Sequence, residues 1–515
     1  MNNNNNELNN NNIENNNEIN DNGNSNIETS TASTVKTIIF NPPTPTAPAL
    51  QQPPPVFLNN TATTNDTTTM SFSKEQMLAF QKYRQGQNVF ITGPGGSGKT
   101  VFIRALYKDA LLANKKIQVC STTGCSSVLL NCNAKTIHSW AGIGLGNSTK
   151  EDILHKILRK DAVCKCWKNI DILVIDEISM MSFKLLSLLD FIARNIRRSF
   201  YKPMGGIQVI FSGDFYQLPP VNINQLDKNA SKFCFEFPLW NEIFPPTNQI
   251  QFISIYRQTD PIFTTILNEI RNGTLTPESI NILQGRVGIQ IKNLNPTPTR
   301  LFPVKRMVEN INQFEMNKLK TGYKVFQSKH LINSPTMTPD QKRNLRTFTV
   351  AEIEQELTYM MNNLLCEPEM TLKINAQVMC VVNLDITGTT YGVPISNGTQ
   401  GIVVALEPNL VVNFQGKEVV IIPHFWESEL ISGIGITQIP LILSWAITIH
   451  KSQGMTLDTA EIDAGQAIFE SGQSYVGMSR VKSLEGLYLR SFDPNRITVN
   501  PKVKEFYDGL CKVVV

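Results

Sequence analysis

A chain of 515 residues is too long for one ordinary hydrophobic core, and 41% hydrophobic with 17% charged content suits a globular protein of two or more domains. The first seventy residues hold six acids against the single Lys36, so the overall formal charge of +4 leaves +9 on residues 71–515, a balance that suits a polyanionic partner without requiring one. Nine cysteines with no CxxC pair argue against a disulfide scaffold or a zinc module; no apolar run approaches the roughly 18 residues of a membrane span, and no basic start leads into an apolar leader, so a soluble intracellular protein with reduced thiols is expected.

Residues 1–70 run from asparagine repeats into Pro/Thr-rich text such as Pro42-Pro43-Thr44-Pro45 and Pro53-Pro54-Pro55. Their apolar content is too low to offset the entropy of ordering, and disorder is expected. With no arginine and five acids before residue 30, the tail is unlike a mitochondrial transit peptide. From residue 71 onward, apolar segments at 89–92, 117–121, 172–175, 207–212 and 251–255 alternate with helical text, which predicts a parallel sheet flanked by helices. Residues 329–346 are polar and basic and read as a loop. Short strands at 373–383 and 400–406, with turns at Thr387-Gly388-Thr389 and Asn397-Gly398, suit a small β-barrel insertion. A second α/β block, with strands at 439–445 and 487–491, ends the chain.

The octapeptide Gly93-Pro94-Gly95-Gly96-Ser97-Gly98-Lys99-Thr100 sits between the apolar run Val89-Phe90-Ile91 and helix-like text. Glycines there let backbone N–H groups wrap phosphates, the following helix adds its positive end, Lys99 can reach the β/γ-phosphates and the Thr100 hydroxyl can hold Mg²⁺. Downstream, Leu173-Val174-Ile175-Asp176-Glu177 is an apolar strand ending in two acids, the first suited to orient Mg²⁺ and the second to deprotonate an attacking water. Another strand runs into Ser212-Gly213-Asp214-Phe215-Tyr216-Gln217, where the Gln217 amide can sense a γ-phosphate and its loss.

Taken together these segments resemble superfamily-one helicases of the Pif family, with RecD a more distant cousin, over nearly all of residues 71–515. Ser73-Lys74-Glu75-Gln76 resembles the adenine-reading Q motif. Thr122-Thr123-Gly124-Cys125 and Thr136-Ile137-His138-Ser139-Trp140-Ala141-Gly142-Ile143-Gly144 resemble motif Ia and the segment after it. Residues 189–208, which include Arg194-Asn195-Ile196-Arg197-Arg198 and Pro203-Met204-Gly205-Gly206, resemble the signature that sets Pif helicases apart. Tyr256-Arg257-Gln258-Thr259-Asp260, Ala446-Ile447-Thr448-Ile449-His450-Lys451-Ser452-Gln453-Gly454-Met455-Thr456 and Gly472-Gln473-Ser474-Tyr475-Val476-Gly477-Met478-Ser479-Arg480 resemble motifs IV, V and VI. Departures are mild: Ser126-Ser127, Trp140, Met204, Gly477-Met478, and Asn375 where the family has glycine, which suggests a turn tolerant of a left-handed asparagine.

The resemblance implies an α/β fold of two RecA-like P-loop NTPase domains with a small wedge insertion and an SH3-like β-barrel insertion. The first domain spans residues 71–250 with the wedge at 221–238, the second is assembled from 251–312 and 426–515, and the barrel covers 313–425. It implies ATP and Mg²⁺ as cofactors, with Gln76, Gly93, Pro94, Gly95, Gly96, Ser97, Gly98, Lys99 and Thr100 binding ATP and Thr100 and Asp176 holding the metal. Lys99, Glu177, Gln217, Arg257 and Arg480 are the implied catalytic set, the two arginines acting as fingers. Thr122, His138, Ser139, Thr448, His450 and Lys451 are the implied DNA contacts, and Trp140 is either a stacking platform or core. The activity implied is 5′-to-3′ translocation on single-stranded DNA with unwinding of duplexes, hybrids or G-quadruplexes in genome and telomere maintenance, by a protein that is monomeric without DNA. A nuclear location follows from that function, with the mitochondrion as the alternative. An RNA-directed helicase, or a binding scaffold that does not unwind, is the competing reading.

Overall fold

In a computed structural model of the chain, the described residues are 72–510 apart from 124–129, 131, 145–147, 221–226, 228, 292–295, 333–336, 385–394, 396, 429–430 and 432. The expected disorder of residues 1–70, the Thr387-Gly388-Thr389 turn and residues 221–226 and 228 of the wedge therefore lie outside the described residues.

The strand Val89–Thr92 is buried at every position, as a strand covered on both faces must be. It lies inside a six-stranded parallel sheet, between Gln208–Gly213 and Gln249–Gln251; beyond Gln208–Gly213 follow Ile172–Asp176, Ile117–Ser121 and Lys135–Thr136. The carboxyl ends of these strands carry the phosphate loop, Asp176 and Asp214 along one edge, where open α/β sheets bind ligands. The helix Lys99–Leu112 buries Phe102, Ile103, Leu106 and Ala110, a single stripe facing the sheet. The last strand, Gln249–Gln251, starts earlier and is shorter than the expected 251–255, sharing only residue 251 with it: after Phe252 N–H bonds Thr92 O, the chain leaves the sheet to cross the phosphate loop, where Tyr256 N–H donates to Gly96 O at 2.8 Å.

A second parallel sheet has the order Ala446–Thr448, Thr299–Phe302, Ala460–Ala464, Leu487–Phe492. Between its first and later strands the chain makes a five-stranded antiparallel sheet, Lys417–Ile421, Leu410–Phe414, Gln400–Ala405, Gln377–Cys380 and Leu441–Leu443. This sheet stands where the barrel was expected. It does not end at residue 425, because Leu441–Leu443 closes its edge and Gly435–Gln438 pairs with His424–Glu427 and Lys329–Leu331. The expected strand at 439–445 is therefore the short Leu441–Leu443 of this antiparallel sheet, and the strand of the second parallel sheet begins only at Ala446. Residues 329–346 are not simply a loop: they contain that short strand and the helix Pro339–Leu345. Asn375 adopts φ 69°, the left-handed turn anticipated for it.

Two further assignments change. Residues 233–237 of the expected wedge belong to the first lobe's core, where Phe233, Phe235 and Phe215 pack together. The C-terminal helix Pro501–Asp508, expected in the second domain, packs on the first: Phe506 touches the rings of Phe90, Phe215, Phe235 and Trp240. The signature region is a buttress. The Asp190 carboxylate accepts from Arg194 and from the Met204 N–H, fixing a turn in which Met204 has φ 52° and a side chain on Gly205 would strike Ala193 O at 2.5 Å. Trp140 is core, 6% exposed with its ring 4.6 Å from Trp167.

Candidate active site in the cleft between the two sheets

The phosphate loop needs its glycines. Gly93, Gly96 and Gly98 have φ of 143°, 87° and 83°, and a Cβ on Gly93 would meet Phe252 O at 2.4 Å. Gly98 caps the Lys99–Leu112 helix without a side-chain hydrogen bond, so the first N–H groups of the helix face the loop. The Lys99 ammonium turns back on the loop and donates to Gly93 O at 2.7 Å and Pro94 O at 2.9 Å. Burial lowers its pKa, while Asp214, Glu177 and Asp176 oppose that shift.

Across the sheet, Asp176 ends its strand almost fully buried. Burial, then the neighbouring charge of Glu177, push its carboxyl up to about 7, so it favours a cation beside it. Glu177 takes φ 53° and ψ 42°, its carbonyl accepts from Thr122 Oγ1 at 2.8 Å, and its carboxylate accepts from Gln453 Nε2 at 3.3 Å. Gln217 is buried and its Oε1 has no partner among the described residues.

The second lobe reaches the loop directly. A Cβ on Gly95 would stand 3.6 Å from Arg257 Nη1 and 3.7 Å from Arg480 Nη2, and one on Gly96 would lie 2.6 Å from Arg257 Cβ. Arg480 donates to Val476 O at 2.8 Å and to Ser479 Oγ at 2.8 Å, and Arg257 donates to Ser479 O at 3.1 Å. Neither is paired with a carboxylate among the described residues. Burial, then the charge of Arg257, bring the Arg480 pKa down to about 9, and burial also lowers that of Arg257. A buried and a half-buried guanidinium side by side over a glycine loop are an arrangement that a polyphosphate relieves.

Gln76 lies with its amide nitrogen 2.8 Å from the Cβ position of Gly98, while its Oε1 accepts from Ser73 N–H in a capping box. The exposed ring of Tyr256 covers the same glycine at 3.4 Å.

The six residues expected to meet DNA do not share one environment. The Thr122 hydroxyl is engaged by Glu177, which ties motif Ia to the loop chemistry. His138 and His450 have pKa values lowered by burial and are neutral at pH 7. The Ser139 hydroxyl is buried without a partner among the described residues, Thr448 Oγ1 accepts from Lys451 N–H at 3.1 Å, and the Lys451 ammonium points at Leu365 O, 3.5 Å away.

Four cleft residues were given no role by sequence. Asp214 and Arg271 form a bidentate pair at 2.8 and 2.9 Å, with Arg271 6% exposed and Asp214 fully buried. The Arg271 guanidinium also lies 4.3 Å from the Tyr216 ring centre. Burial opposes its charge, but Asp214 outweighs burial and raises its pKa. The Tyr507 hydroxyl joins Asp214 at 3.2 Å and Thr92 Oγ1 at 2.5 Å. Tyr475 accepts the Gly95 N–H at 2.9 Å. Tyr475 stands inside motif VI; Arg271 and Tyr507 carry no local signal, since their partner lies 57 and 293 residues away.

Two parallel sheets with a phosphate loop on one and arginines supplied by the other define a two-lobed P-loop NTPase. Comparisons with known proteins narrow this class. A family model described as PIF1-like helicase matches residues 71–279. The ATP-dependent DNA helicase PIF1 of Danio rerio is 34% identical over 447 residues, which is 85% of this chain and 64% of that protein, so the chain spans about two thirds of that relative's length or slightly less. The crystal structure of Pif1 helicase from Candida albicans matches with TM-score 0.68 and 30% identity over 86% of this chain and 100% of that one. Pif1 from Bacteroides, in complex with ADP-AlF3 and single-stranded DNA, matches with TM-score 0.58 and 26% identity over 85% of this chain and 97% of that one. The chain belongs to the PIF1-like helicase family.

Proposed function

We propose that this protein is an ATP-dependent DNA helicase that moves 5′ to 3′ on single-stranded DNA and unwinds duplexes. The observation that carries this reading is the convergence of Arg257 and Arg480 from one lobe on Gly95 and Gly96 of the other, with Gln453 of motif V on the carboxylate of Glu177. Binding at the loop then draws the lobes together, and loss of the terminal phosphate weakens that attraction, which is how hydrolysis becomes motion. Lys99 and the two arginines counter the phosphate charge, Glu177 takes the proton of the attacking water, and Gln217, whose Oε1 has no partner among the described residues, orients toward the terminal phosphate. The loop amides, Lys99 and Gln76 fit ATP, and Tyr256 offers a ring for the base. Thr100 and Asp176 supply the hard oxygen donors that suit Mg²⁺, which when bound draws charge from the phosphates.

The substrate follows from the relatives: the Danio protein is named a DNA helicase, and the Bacteroides structure contains single-stranded DNA. On this reading Thr122, His138, Ser139, Thr448, His450 and Lys451 line the strand's path, hydroxyl and imidazole groups beside one ammonium gripping the backbone without reading sequence. The direction of travel, the use of hybrids and G-quadruplexes, the monomeric state without DNA, and work in the nucleus on repair and genome maintenance rest on the family resemblance.

The test is strand displacement by the full chain on matched partial duplexes with a 5′ or a 3′ tail, with ATP and Mg²⁺, beside Lys99→Ala. Unwinding of the 5′-tailed substrate alone, lost in the variant, is expected. Turnover of ATP with no unwinding of either DNA sinks the helicase reading and favours an RNA substrate or a scaffold.

A further inference from the structure

The most intimate side-chain hydrogen bond from the second lobe to the phosphate loop comes from a residue with no assigned part in the chemistry. Tyr475 lies on the helix Gln473–Met478, is 3% exposed, and accepts the Gly95 N–H at 2.9 Å. The same Gly95 has Arg257 Nη1 and Arg480 Nη2 within 3.7 Å of its Cβ position, so the phenol and both guanidinium groups meet at one point of the loop. A phenol accepts through its oxygen and donates through its hydrogen. Here the accepting role is taken by Gly95, while among the described residues no acceptor takes the hydrogen. Burial, then the charge of Asp214, keep the phenol protonated, so the donor is available at every physiological pH. An oriented, desolvated O–H flanked by two cations is suited to an anionic oxygen and to little else.

We propose, resting on the reading of this cleft as the ATP site, that Tyr475 is a γ-phosphate-binding residue supplied across the cleft: its oxygen steadies the Gly95 amide and its hydrogen goes to an oxygen of the terminal phosphate. Tyr475 thereby discriminates ATP from ADP, because ADP offers no terminal oxygen beside the two arginines. It also ties the Gln473–Met478 helix to the nucleotide state, since the hydroxyl joins loop and ligand at once.

The test uses the full chain carrying Tyr475→Phe, which keeps the ring and its packing and deletes only the hydroxyl. Affinity for a non-hydrolysable ATP analogue is expected to fall about tenfold, the scale of one hydrogen bond to a charged group, while ADP affinity stays within about twofold. Equal weakening of both nucleotides, as a merely structural role requires, overturns the proposal, and so does no weakening of either. If thermal melting shows that the phenylalanine variant does not fold, Tyr475→His takes its place: its ring N–H has a shorter reach, so the preference for ATP over ADP shrinks, and an unchanged preference overturns the proposal. A wild-type chain that binds neither nucleotide removes the functional reading itself. A wild-type chain with ATP turnover abolished by Lys99→Ala, beside a Tyr475→Phe chain with unaltered nucleotide preference, removes this inference alone.

Discussion

Asp176 shows how the site's chemistry opposes the stability of the fold. Its ordinary carboxyl value is 3.8, and burial followed by the Glu177 charge lifts it to about 7 in the folded chain. The unfolded chain therefore releases this proton first. The group's contribution to stability is full below about pH 4, shrinks as pH rises and is gone above about pH 7. Asp176→Asn, which cannot ionise, is expected to raise the melting temperature of the metal-free, nucleotide-free protein at pH 8, to raise it less at pH 5, and to abolish Mg²⁺-dependent ATP hydrolysis. Thermal melts at the two pH values decide it, and an equal shift at both counts against the argument. Glu177 shows a second opposition, a non-glycine residue at φ 53° that Thr122 and Gln453 hold from either side. The acids themselves were legible in sequence because a strand ending in Asp-Glu is a local pattern. The residues that restrain them were quoted within motifs, but that Thr122 serves the Glu177 carbonyl depends on contacts 55 residues apart.

Elements were legible where burial is periodic and misassigned where a distant surface decides. The strands Val89–Thr92 and Ile172–Asp176 and the helix Lys99–Leu112 follow from apolar runs and one buried stripe. The helix Pro501–Asp508 also has a readable amphipathic pattern, but nothing in it says that its apolar side meets rings more than 250 residues earlier. Val503 is fully covered, Phe506 sits among Phe90, Phe215, Phe235 and Trp240, and Lys502 bonds Glu236 at 2.5 Å. This helix closes the floor under the phosphate-loop strand, and Tyr507 stacks on Tyr216 with ring centres 4.6 Å apart. Phe506→Ala is expected to cost about 2 kcal/mol, below the range for a fully buried ring because one side of Phe506 stays partly open. Denaturant unfolding measures this; a loss under about 0.5 kcal/mol means that the helix is an ornament on the first lobe rather than part of its core. The signature stretch makes a related point, since the text most diagnostic of family builds a turn and an ion pair, Asp190 with Arg194, rather than the cleft.

At the scale of the whole molecule, the two lobes meet through polar groups that belong to the site, Gly95 with Tyr475 and Glu177 with Gln453. Such an interface suits a cleft that opens and closes, because each bond has water as a ready substitute. The pair of Asp214 with Arg271 is the exception. Arg271 belongs to the helix Pro261–Asn272, whose Phe263, Ile266 and Ile270 pack in the second lobe's core, and Asp214 follows a strand of the first. With Arg271 6% exposed and Asp214 fully buried, neither charge has water to fall back on. Removing one partner strands the other, so Arg271→Met alone is expected to cost about 3–5 kcal/mol, and Asp214→Leu a similar amount. The double variant removes both charges together and should cost clearly less than the sum of the singles, a coupling of about 2 kcal/mol or more in a double-mutant cycle. Additive losses would show that each residue acts through its other neighbours, Arg271 through the rings of Tyr216 and Tyr507 and Asp214 through the Tyr507 hydroxyl. Strong coupling shows that the pair acts as one unit between the lobes, a contact that, unlike the other bonds of the cleft, has no water to replace it.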